Sequence, residues 1–291
     1  MNWTTDLNRS IDYIEATLLE KINYKKLGEI ARCSAFQYQR LFLYMSGMTV
    51  SEYVRKRKLS LAAVDLQNGE NSVTDVALKY GYSSPTAFNR AFKLIHGVAP
   101  SALKSGTVPV KTFAPIRFHL NISGAKELTY QIEEKPAFQV VGISQKITTD
   151  VQTNFQEIPK MWDQARRDGT ILQLVALMTG EPKGMLGISF SQANDEGLYA
   201  IAVSNDQTSS QQAHNFETKL IPAATWAIFP SQGTGRSIQE LQTQIYSEWL
   251  PTSGYKYVDL PDIEVYIDPD PQNTSYQVWV PITKAQGGKE R

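Results

Sequence analysis

The chain has 291 residues, of which 42% are hydrophobic and 20% are charged, with 29 basic and 29 acidic side chains. This composition is typical of a globular protein with one large or two ordinary domains, and it excludes wholesale disorder. The single cysteine, Cys33, excludes an internal disulfide and a cysteine-based metal site.

The formal charge of zero conceals an asymmetry along the chain. Residues 1–106 carry 14 Lys and Arg against 9 Asp and Glu, whereas the remainder carries 15 against 20. A basic part followed by an acidic part hints at a polyanion-binding module joined to something else. The first residues never gather the apolar core of a signal peptide, and no apolar stretch approaches the length of a membrane span. We expect a cytoplasmic protein without a membrane partner.

Signals for helix ends divide the first hundred residues into short helices. Apolar residues recur at helical spacing over residues 7–20 and 24–33. Cap residues predict four more helices: from Ser34 to Gly47, from Thr49 with Glu52 through about Gln67, from Ser72 with Asp75, and from Ser84-Pro85 to Gly97. This part of the chain is therefore predicted to be nearly all α.

The pattern changes at SGTVPVK, residues 105–111, which is typical of a linker. Beyond it, several segments alternate apolar and polar residues as strands do: LTYQIEE, FQVVGISQKI, MLGISF, LYAIAV, TWAIFP, IEVYID and YQVWVPI. Helical patterns near 151–167 and 236–250 interrupt them, and Ser237 with Glu240 predicts a capping box in the second. We therefore predict an α+β chain, in which an α+β domain of two βαββ halves follows the all-α domain.

One helix pattern occurs twice, as AFQYQRLFLYMSG at 35–47 and as PTAFNRAFKLIHG at 85–97. In the first copy, Phe36, Gln39 and Arg40 fall on one face, opposite an apolar face made for burial. In the second copy the corresponding outward residues are Thr86, Asn89, Arg90 and Lys93. Each copy thus predicts an outward face that carries an amide beside a guanidinium.

Amide and guanidinium groups suit the edges of bases, because amides pair with adenine and Arg is bidentate to guanine. Each copy also follows a short helix and a tight turn, which is the helix-turn-helix arrangement with the second helix as reader. The alternative is a solvated face of a helical bundle, which a single copy would favour. Two copies in register reverse that preference. RKRK at 55–58, on the helix between them, could contact phosphates or could be a solvated face.

The stretch from EYVRKRKLSLAAVDLQ to SVTDVALKYGYSSPTAFNRAFKLIHGVAPSALK resembles the AraC/XylS-type DNA-binding domain, over residues 8–106. The resemblance implies a tandem helix-turn-helix domain that binds double-stranded DNA. Its contact positions fall here on Phe36, Gln39, Arg40, Pro85, Thr86, Asn89 and Arg90. Arg32-Cys33 departs from the usual Gly-aromatic pair in the first turn. Pro85 lacks a polar side chain, so we expect the second reader to discriminate less.

The C-terminal part offers no HExxH or GxSxG pattern. In PDIEVYIDPD, residues 261–270, strand alternation places Glu264 and Tyr266 on one face. If that face is solvated, Glu264 is an ordinary surface carboxylate. If it faces aromatic walls, it suits an amphipathic cation through charge pairing and cation–π attraction.

The segments LTYQIEEKPAFQVVGIS, IPKMWDQ and PDIEVYIDP with YQVWVPI resemble the GyrI-like effector-binding domain, over residues 126–284 after a linker and lead-in strand at 107–125. The resemblance implies two βαββ halves around a cleft that binds cationic or drug-like compounds. Its cleft glutamate falls on Glu264. The other candidate pocket residues are Tyr266, Trp279, Gln277, Trp162, Trp226 and Phe229.

The order of the two domains resembles that of Rob-like stress and multidrug regulators. We expect a sequence-specific transcriptional regulator, an activator that contacts RNA polymerase, whose C-terminal domain senses a small molecule. We expect no enzyme activity, no cofactor and no metal. Two alternatives stay open for the C-terminal domain: a small-molecule hydrolase with Glu264 as general base, and a protein-docking module without a ligand pocket.

Overall fold

The computed structural model describes residues 3–69, 72–105, 108–119, 127–148, 151–191, 197–206, 216–268 and 273–284. The chain divides into two compact units. The sheet unit combines Tyr24–Gly47 with Leu120–Arg291, and the helical unit combines Asn2–Asn23 with Met48–His119. The domain boundaries drawn from sequence stay predictions, and residues 107 and 120–125 of the predicted 107–125 segment lie outside the described residues.

Among the described residues of the first hundred, six helices form, as predicted: α1 (Trp3–Ala16), α2 (Tyr24–Ala31), α3 (Ala35–Ser46), α4 (Val50–Gln67), α5 (Val73–Lys79) and α6 (Pro85–His96). The caps are those expected. Ser34 and Gln37 form a reciprocal capping box, and Thr49 accepts the backbone N–H of Glu52. Gly47 and Gly97 end α3 and α6 with φ of 70° and 79°, a left-handed conformation that glycine adopts without strain.

The helical unit contains α1, α4, α5 and α6, and the last three of these share one apolar core. Leu59, Leu66, Phe88 and Phe92 are fully buried in that core. Arg57 from α4 bonds Glu15 of α1 through Nε and Nη2 at 2.8–3.1 Å. The prediction that RKRK could contact phosphates is therefore wrong for Arg57, because this guanidinium is buried and already paired.

The sheet unit is built on one antiparallel sheet. Its strands in the described residues are β1 (Gln131–Lys135), β2 (Phe138–Ile147), β3 (Met185–Ser191), β4 (Gly197–Ser204), β5 (Glu217–Ile221), β6 (Ala224–Gly233), β7 (Tyr255–Tyr257), β8 (Asp262–Tyr266) and β9 (Thr274–Lys284). The strand order is β1-β6-β9-β8-β3-β4-β2-β5, with β7 paired to β9. The sequence patterns had not predicted the short strands β5 and β7.

Two similar halves meet at the centre of this sheet. In one half, β2 is followed by α7 (Val151–Arg167) and α8 (Thr170–Ala176), and then by β3 and β4. In the other, β6 is followed by α9 (Gly235–Gln244), and then by β8 and β9. Strands β3 and β8 pair at the junction, where Gly187 lies opposite Glu264. The two predicted βαββ halves are thus present.

The start of α9 differs from the prediction. Thr234, not a residue of the Ser237–Glu240 pair, occupies the N-cap position. The Ser237 hydroxyl instead donates to the backbone oxygen of Thr234 and shares a hydrogen bond with Tyr276. The predicted capping box is wrong because Ser237 lies inside the first turn of the helix.

Candidate functional site

A cavity of about 880 Å³ lies over one face of the sheet, walled by α3, α7, α8 and α9. Side chains of β4 and β8 form its floor, because Tyr199, Glu264 and Tyr266 alternate toward this face. Aromatic and aliphatic groups provide most of the lining surface, and polar and charged side chains such as Arg40, Gln242 and Glu264 stand among them. Such a cavity is of the size and composition of small-molecule sites.

Glu264 is the central polar group of the cavity. Its Oε2 accepts from the Tyr266 hydroxyl at 2.8 Å and from the Tyr199 hydroxyl at 3.4 Å, and its Oε1 accepts from Gln242 Nε2 at 2.9 Å. Trp162 Nε1 donates in turn to the Tyr199 hydroxyl at 3.0 Å. Neutral donors thus hold the carboxylate, and no ion pair to it occurs among the described residues.

A second carboxylate, Asp262, lies two residues before Glu264 on the same face of β8. Its Oδ2 accepts from Arg40 Nη1 at 2.8 Å and from the Tyr246 hydroxyl at 3.1 Å. Its Oδ1 accepts from the Tyr257 hydroxyl at 2.8 Å. The side chains of Arg40 and Asp262 are 11% and 7% exposed, so this is a buried ion pair.

Burial raises the pKa of both carboxyls. For Glu264, desolvation is opposed by the Tyr266 hydrogen bond, by the charge of Arg40 and by the Gln242 hydrogen bond, yet the pKa stays above its usual value. For Asp262, desolvation likewise outweighs Arg40 and the two tyrosine hydroxyls. A cation placed beside Glu264 would relieve this cost, since an opposite charge favours the ionised form.

Helix α3 forms one wall of the cavity and is held there by side-chain bonds at several points. Besides the Arg40 ion pair, Gln37 Nε2 donates to the Tyr257 hydroxyl at 3.1 Å, and the Tyr44 hydroxyl donates to Gln242 Oε1 at 2.5 Å. Near its N-terminus, the Ser191 hydroxyl donates to Ser34 Oγ at 2.6 Å. The helix is buried nearly all round, as expected of a helix packed on two sides.

The aromatic residue of the first predicted reader has a specific place in this packing. Phe36 is 2% exposed and belongs to an apolar cluster with Ile147, Tyr199 and Ile201. A Cβ added at Gly197 would lie 2.4 Å from the Phe36 ring, so only glycine fits there. The absence of a side chain at Gly197 therefore allows α3 to approach β4 closely.

The structure corrects the expectation that Phe36, Gln39 and Arg40 lie on an outward face. Phe36 and Gln39 are 2% and 6% exposed, and Gln39 Nε2 donates to the Ala35 backbone oxygen of its own helix. Helical spacing assigns residues to faces, but it does not say which face a distant part of the chain covers. Contact of these residues with DNA stays a prediction.

The second predicted reader has the opposite environment. Pro85, Thr86, Asn89 and Arg90 are all exposed on α6, whereas Phe88 and Phe92 are fully buried. Ser84 accepts the Ala87 backbone N–H, and Pro85 occupies the first turn, where a missing N–H costs nothing. The outward face predicted for this copy is present.

The cavity brings together three of the predicted effector-binding residues: Glu264, Tyr266 and Trp162. The prediction is corrected for Trp226, Trp279 and Gln277. Trp279 lies opposite Ile263, and Gln277 opposite Val265, so both belong to the other face of the sheet. Trp226 and Trp279 pack there in an apolar core with ring centroids 5.8 Å apart.

Phe229 shares the face of Glu264, but it does not line the cavity. It packs edge-on against Trp249 at 4.9 Å and also contacts Tyr130 at 5.7 Å. Sequence reasoning also missed Tyr199, Gln242 and the α3 side chains Arg40 and Tyr44, all of which line the cavity. Alternation in LYAIAV could have indicated the face of Tyr199, whereas no local signal places α3 there.

No helix in the part of the chain that the structure describes is both long enough and apolar enough to cross a membrane. Residues 131–282 match the family described as integron-associated effector binding protein, Cass2, and residues 27–106 match the family described as helix-turn-helix domain. A solved structure described as SAV2435 bound to tetraphenylphosphonium is 21% identical with a TM-score of 0.49, and the match covers 54% of this chain and 94% of that one.

Curated relatives match one or both parts of the chain. The probable transcription factor PqrA of Proteus vulgaris is 37% identical over 107 residues, which cover 35% of this chain and 87% of that protein. The regulator YbfP of Bacillus subtilis is 31% identical over 105 residues, and the chain covers 36% of its length. The right origin-binding protein of Escherichia coli is 21% identical over 286 residues, 94% of this chain and 96% of that protein. The chain therefore belongs to the integron-associated effector-binding family and is an AraC-type helix-turn-helix regulator that binds DNA.

Proposed function

We propose that this regulator is a transcriptional activator whose sheet unit binds a small amphipathic cation. The observation that carries the proposal is Glu264, a carboxylate on the floor of a cavity of about 880 Å³ whose hydrogen-bond donors among the described residues are all neutral. Trp162 and Tyr266 stand beside it with ring centroids 5.1 Å apart. Aromatic faces and a desolvated carboxylate attract the same kind of ligand, a hydrophobic cation.

The DNA-binding part of the proposal assigns base and backbone contacts to the two reader helices. On α6 the exposed residues Thr86, Asn89 and Arg90 support it directly, because they are free to enter a major groove. On α3 the assignment to Phe36, Gln39 and Arg40 requires that helix to leave its packed position. Activation would further require contact with RNA polymerase, which is the proposed protein partner.

The cavity is tested by isothermal titration of the full chain with tetraphenylphosphonium and with triphenylphosphine oxide, a neutral molecule of similar shape. We expect the cation to bind and Glu264→Gln to weaken it by about 1–3 kcal/mol, while the neutral molecule changes little. Glu134→Gln is the matched control, since Glu134 is an exposed glutamate on β1.

Equal loss for the two molecules in Glu264→Gln would contradict the charge-pairing part of the proposal. No binding of either molecule would contradict a ligand cavity of this chemistry and favour the protein-docking alternative. Hydrolysis of a hydrophobic ester by the full chain, lost in Glu264→Gln, would support the hydrolase alternative instead.

A further inference from the structure

The cavity contains a cation supplied by the chain itself. Arg40 lines the same cavity as Glu264, pairs directly with Asp262, and its charge acts on Glu264 as well. The guanidinium lies within 5.9 Å of the rings of Phe36 and Tyr44. A cation between carboxylates and aromatic rings is the arrangement proposed above for an external ligand, so α3 presents an internal one.

The other charged side chains that line the cavity are Arg166, Arg236 and the exposed Asp268, and both arginines are already paired. Arg166 of α7 pairs with Asp163 at 2.7 Å, and Arg236 of α9 pairs with Glu240 at 3.2 Å. Both of these pairs are exposed to solvent, where ion pairs contribute little. Among the described residues that line the cavity, the buried positive charge near Asp262 and Glu264 is therefore that of Arg40.

Packing of α3 against the sheet and reading of DNA by α3 exclude one another. A reader helix contacts base edges through exposed side chains in the major groove. Phe36 lines the cavity and is 2% exposed, Gln39 is 6% exposed, and the Arg40 guanidinium is bonded to Asp262. While these contacts persist, the first reader cannot engage a base pair.

We propose that α3 is an internal ligand of the carboxylate pair on β8, and that a hydrophobic cation in the cavity displaces it and so frees the first reader for DNA. This inference rests on the proposed function, because it requires the cavity to bind such a cation. It adds the regulation: the ligand increases DNA binding by competing with Arg40.

Two contacts of α3 connect it to the ligand position. A cation beside Glu264 would share a desolvated cavity with the Arg40 guanidinium, where like charges repel more strongly than in water. A cation that takes Glu264 Oε1 also removes the acceptor of Gln242, whose own Oε1 accepts from Tyr44. Both the Arg40–Asp262 ion pair and the Tyr44 hydrogen bond are therefore weakened when the ligand binds. By linkage, DNA binding increases the affinity for the ligand by the same factor.

Cys33 provides a probe of this displacement, since it immediately precedes the N-cap of α3 and is the only cysteine of the chain. Partial burial, together with the charge of Asp259, raises the pKa of its thiol to about 12. A thiol with so high a pKa reacts slowly with disulfide reagents. If α3 leaves the sheet unit, both causes diminish and the reaction accelerates.

The experiment measures the rate at which 5,5′-dithiobis(2-nitrobenzoate) reacts with Cys33 in the full chain, with and without tetraphenylphosphonium. We expect the cation to accelerate the reaction, and Asp262→Asn to accelerate it roughly tenfold or more without any ligand, because it leaves Arg40 buried and unpaired. Gly197→Ala should also accelerate it, because its Cβ would meet the Phe36 ring. Glu134→Gln is the matched control and should leave the rate unchanged, since Glu134 is exposed on β1.

The outcomes separate the two proposals. Binding of tetraphenylphosphonium by calorimetry without acceleration at Cys33, or with a slower reaction, overturns the competition and leaves the cation site intact. Absence of binding overturns the cation site and with it the competition. If Asp262→Asn fails to fold, as judged by circular dichroism, Gly197→Ala decides, and an unchanged rate in that variant overturns the docked role of α3.

Discussion

The two predicted reader helices, α3 and α6, have nearly the same local structure but opposite environments. Both begin at a serine N-cap, end at a left-handed glycine, and bury two aromatic rings at matching positions. On α6 the remaining face is exposed, and Leu94 on that helix is 81% exposed. On α3 the corresponding face packs on the sheet unit through Phe36 and Arg40.

The repeated sequence contains the residues that a helix needs in order to form. It does not determine which other part of the protein packs on that helix. On α3, the face that packs on the sheet includes Phe36, Gln37 and Tyr44, which pack or hydrogen-bond against other parts of the protein. The outward residues of α6 include Asn89, Arg90 and Lys93, which remain exposed. Under the proposal above, α6 is available to DNA as it stands, whereas α3 becomes available only when it leaves the sheet.

Removing the anion that holds α3 should have the largest effect on this comparison. Asp262→Ala leaves the Arg40 guanidinium buried without its partner, which costs about 3–5 kcal/mol. We expect hydrogen exchange of the α3 amides to accelerate strongly, while exchange in α6 stays unchanged. Unchanged protection of α3 in a folded variant would show that the ion pair does not hold the helix.

Removing the two reader arginines should sharpen the comparison in DNA binding. Arg90→Ala should weaken binding to a duplex selected from a random library by about 1–3 kcal/mol. Arg40→Ala should weaken it less in the absence of ligand, because losing the base contact is partly offset by losing the contact with Asp262. Electrophoretic mobility shifts at constant salt would measure both. Equal losses would argue that α3 is not docked before DNA binds.

A smaller effect is expected from Tyr44→Phe, which removes only the hydroxyl that donates to Gln242. The stacked contact with Tyr246, at 5.3 Å between ring centroids, can remain. Loss of one hydrogen bond should lower the free energy that holds α3 by about 1 kcal/mol. The urea midpoint of the full chain reports this loss, with Tyr13→Phe on α1 as a control in the helical unit. A change as large in the control would make the Tyr44 effect nonspecific.

The least effect is expected from pH, and its sign follows from the raised pKa values of Glu264 and Asp262. A carboxyl whose pKa is raised by folding contributes stability that is present below its unfolded pKa and is lost as pH rises through the folded pKa. The groups that face these carboxyls are Arg40, which stays charged, and tyrosines that stay neutral here.

Stability of the sheet unit should therefore decrease as pH rises from about 4.5, and Glu264→Gln should flatten that decrease. Urea midpoints of the full chain and of Glu264→Gln, measured at increasing pH from about 4.5, test this decrease. For the same reason, affinity for tetraphenylphosphonium should increase with pH, because protonation of Glu264 competes with the cation. A cation affinity that falls with rising pH would contradict the role of Glu264.

The helices and most strands could be predicted because their signals are local. Ser34, Ser84, Gly47 and Gly97 act on atoms within four residues, and alternation in a strand has a fixed period. The turn before α3 shows the limit. Arg32 adopts a φ of 61°, and in the second turn Gly81 adopts a φ of 83°. Arg32, which stands where the related family has glycine, therefore occupies a left-handed conformation that is strained for a residue with a side chain.

The candidate site was only partly predictable, because it combines residues that are far apart in sequence. Glu264 and Tyr266 could be assigned to one strand face, and the resemblance placed that face at a cleft. Trp279 and Gln277 were assigned to the wrong face of β9. A shift of one residue in strand pairing moves a side chain to the other face of the sheet, and the sequence alone does not fix that pairing. Arg40 lines the cavity and bonds to Asp262, which is 222 residues away in sequence. Periodicity within one helix or strand cannot predict such a contact.

The most direct test of the account compares two engineered cysteines at equivalent positions of the readers, in a Cys33→Ser background. Gln39→Cys lies on the buried face of α3, and Asn89→Cys lies on the exposed face of α6. In the free protein we predict slow reaction with a thiol reagent at position 39 and fast reaction at position 89, with tetraphenylphosphonium accelerating only the former. Equal rates at the two positions, or no acceleration at position 39 when the cation is bound, would contradict the account.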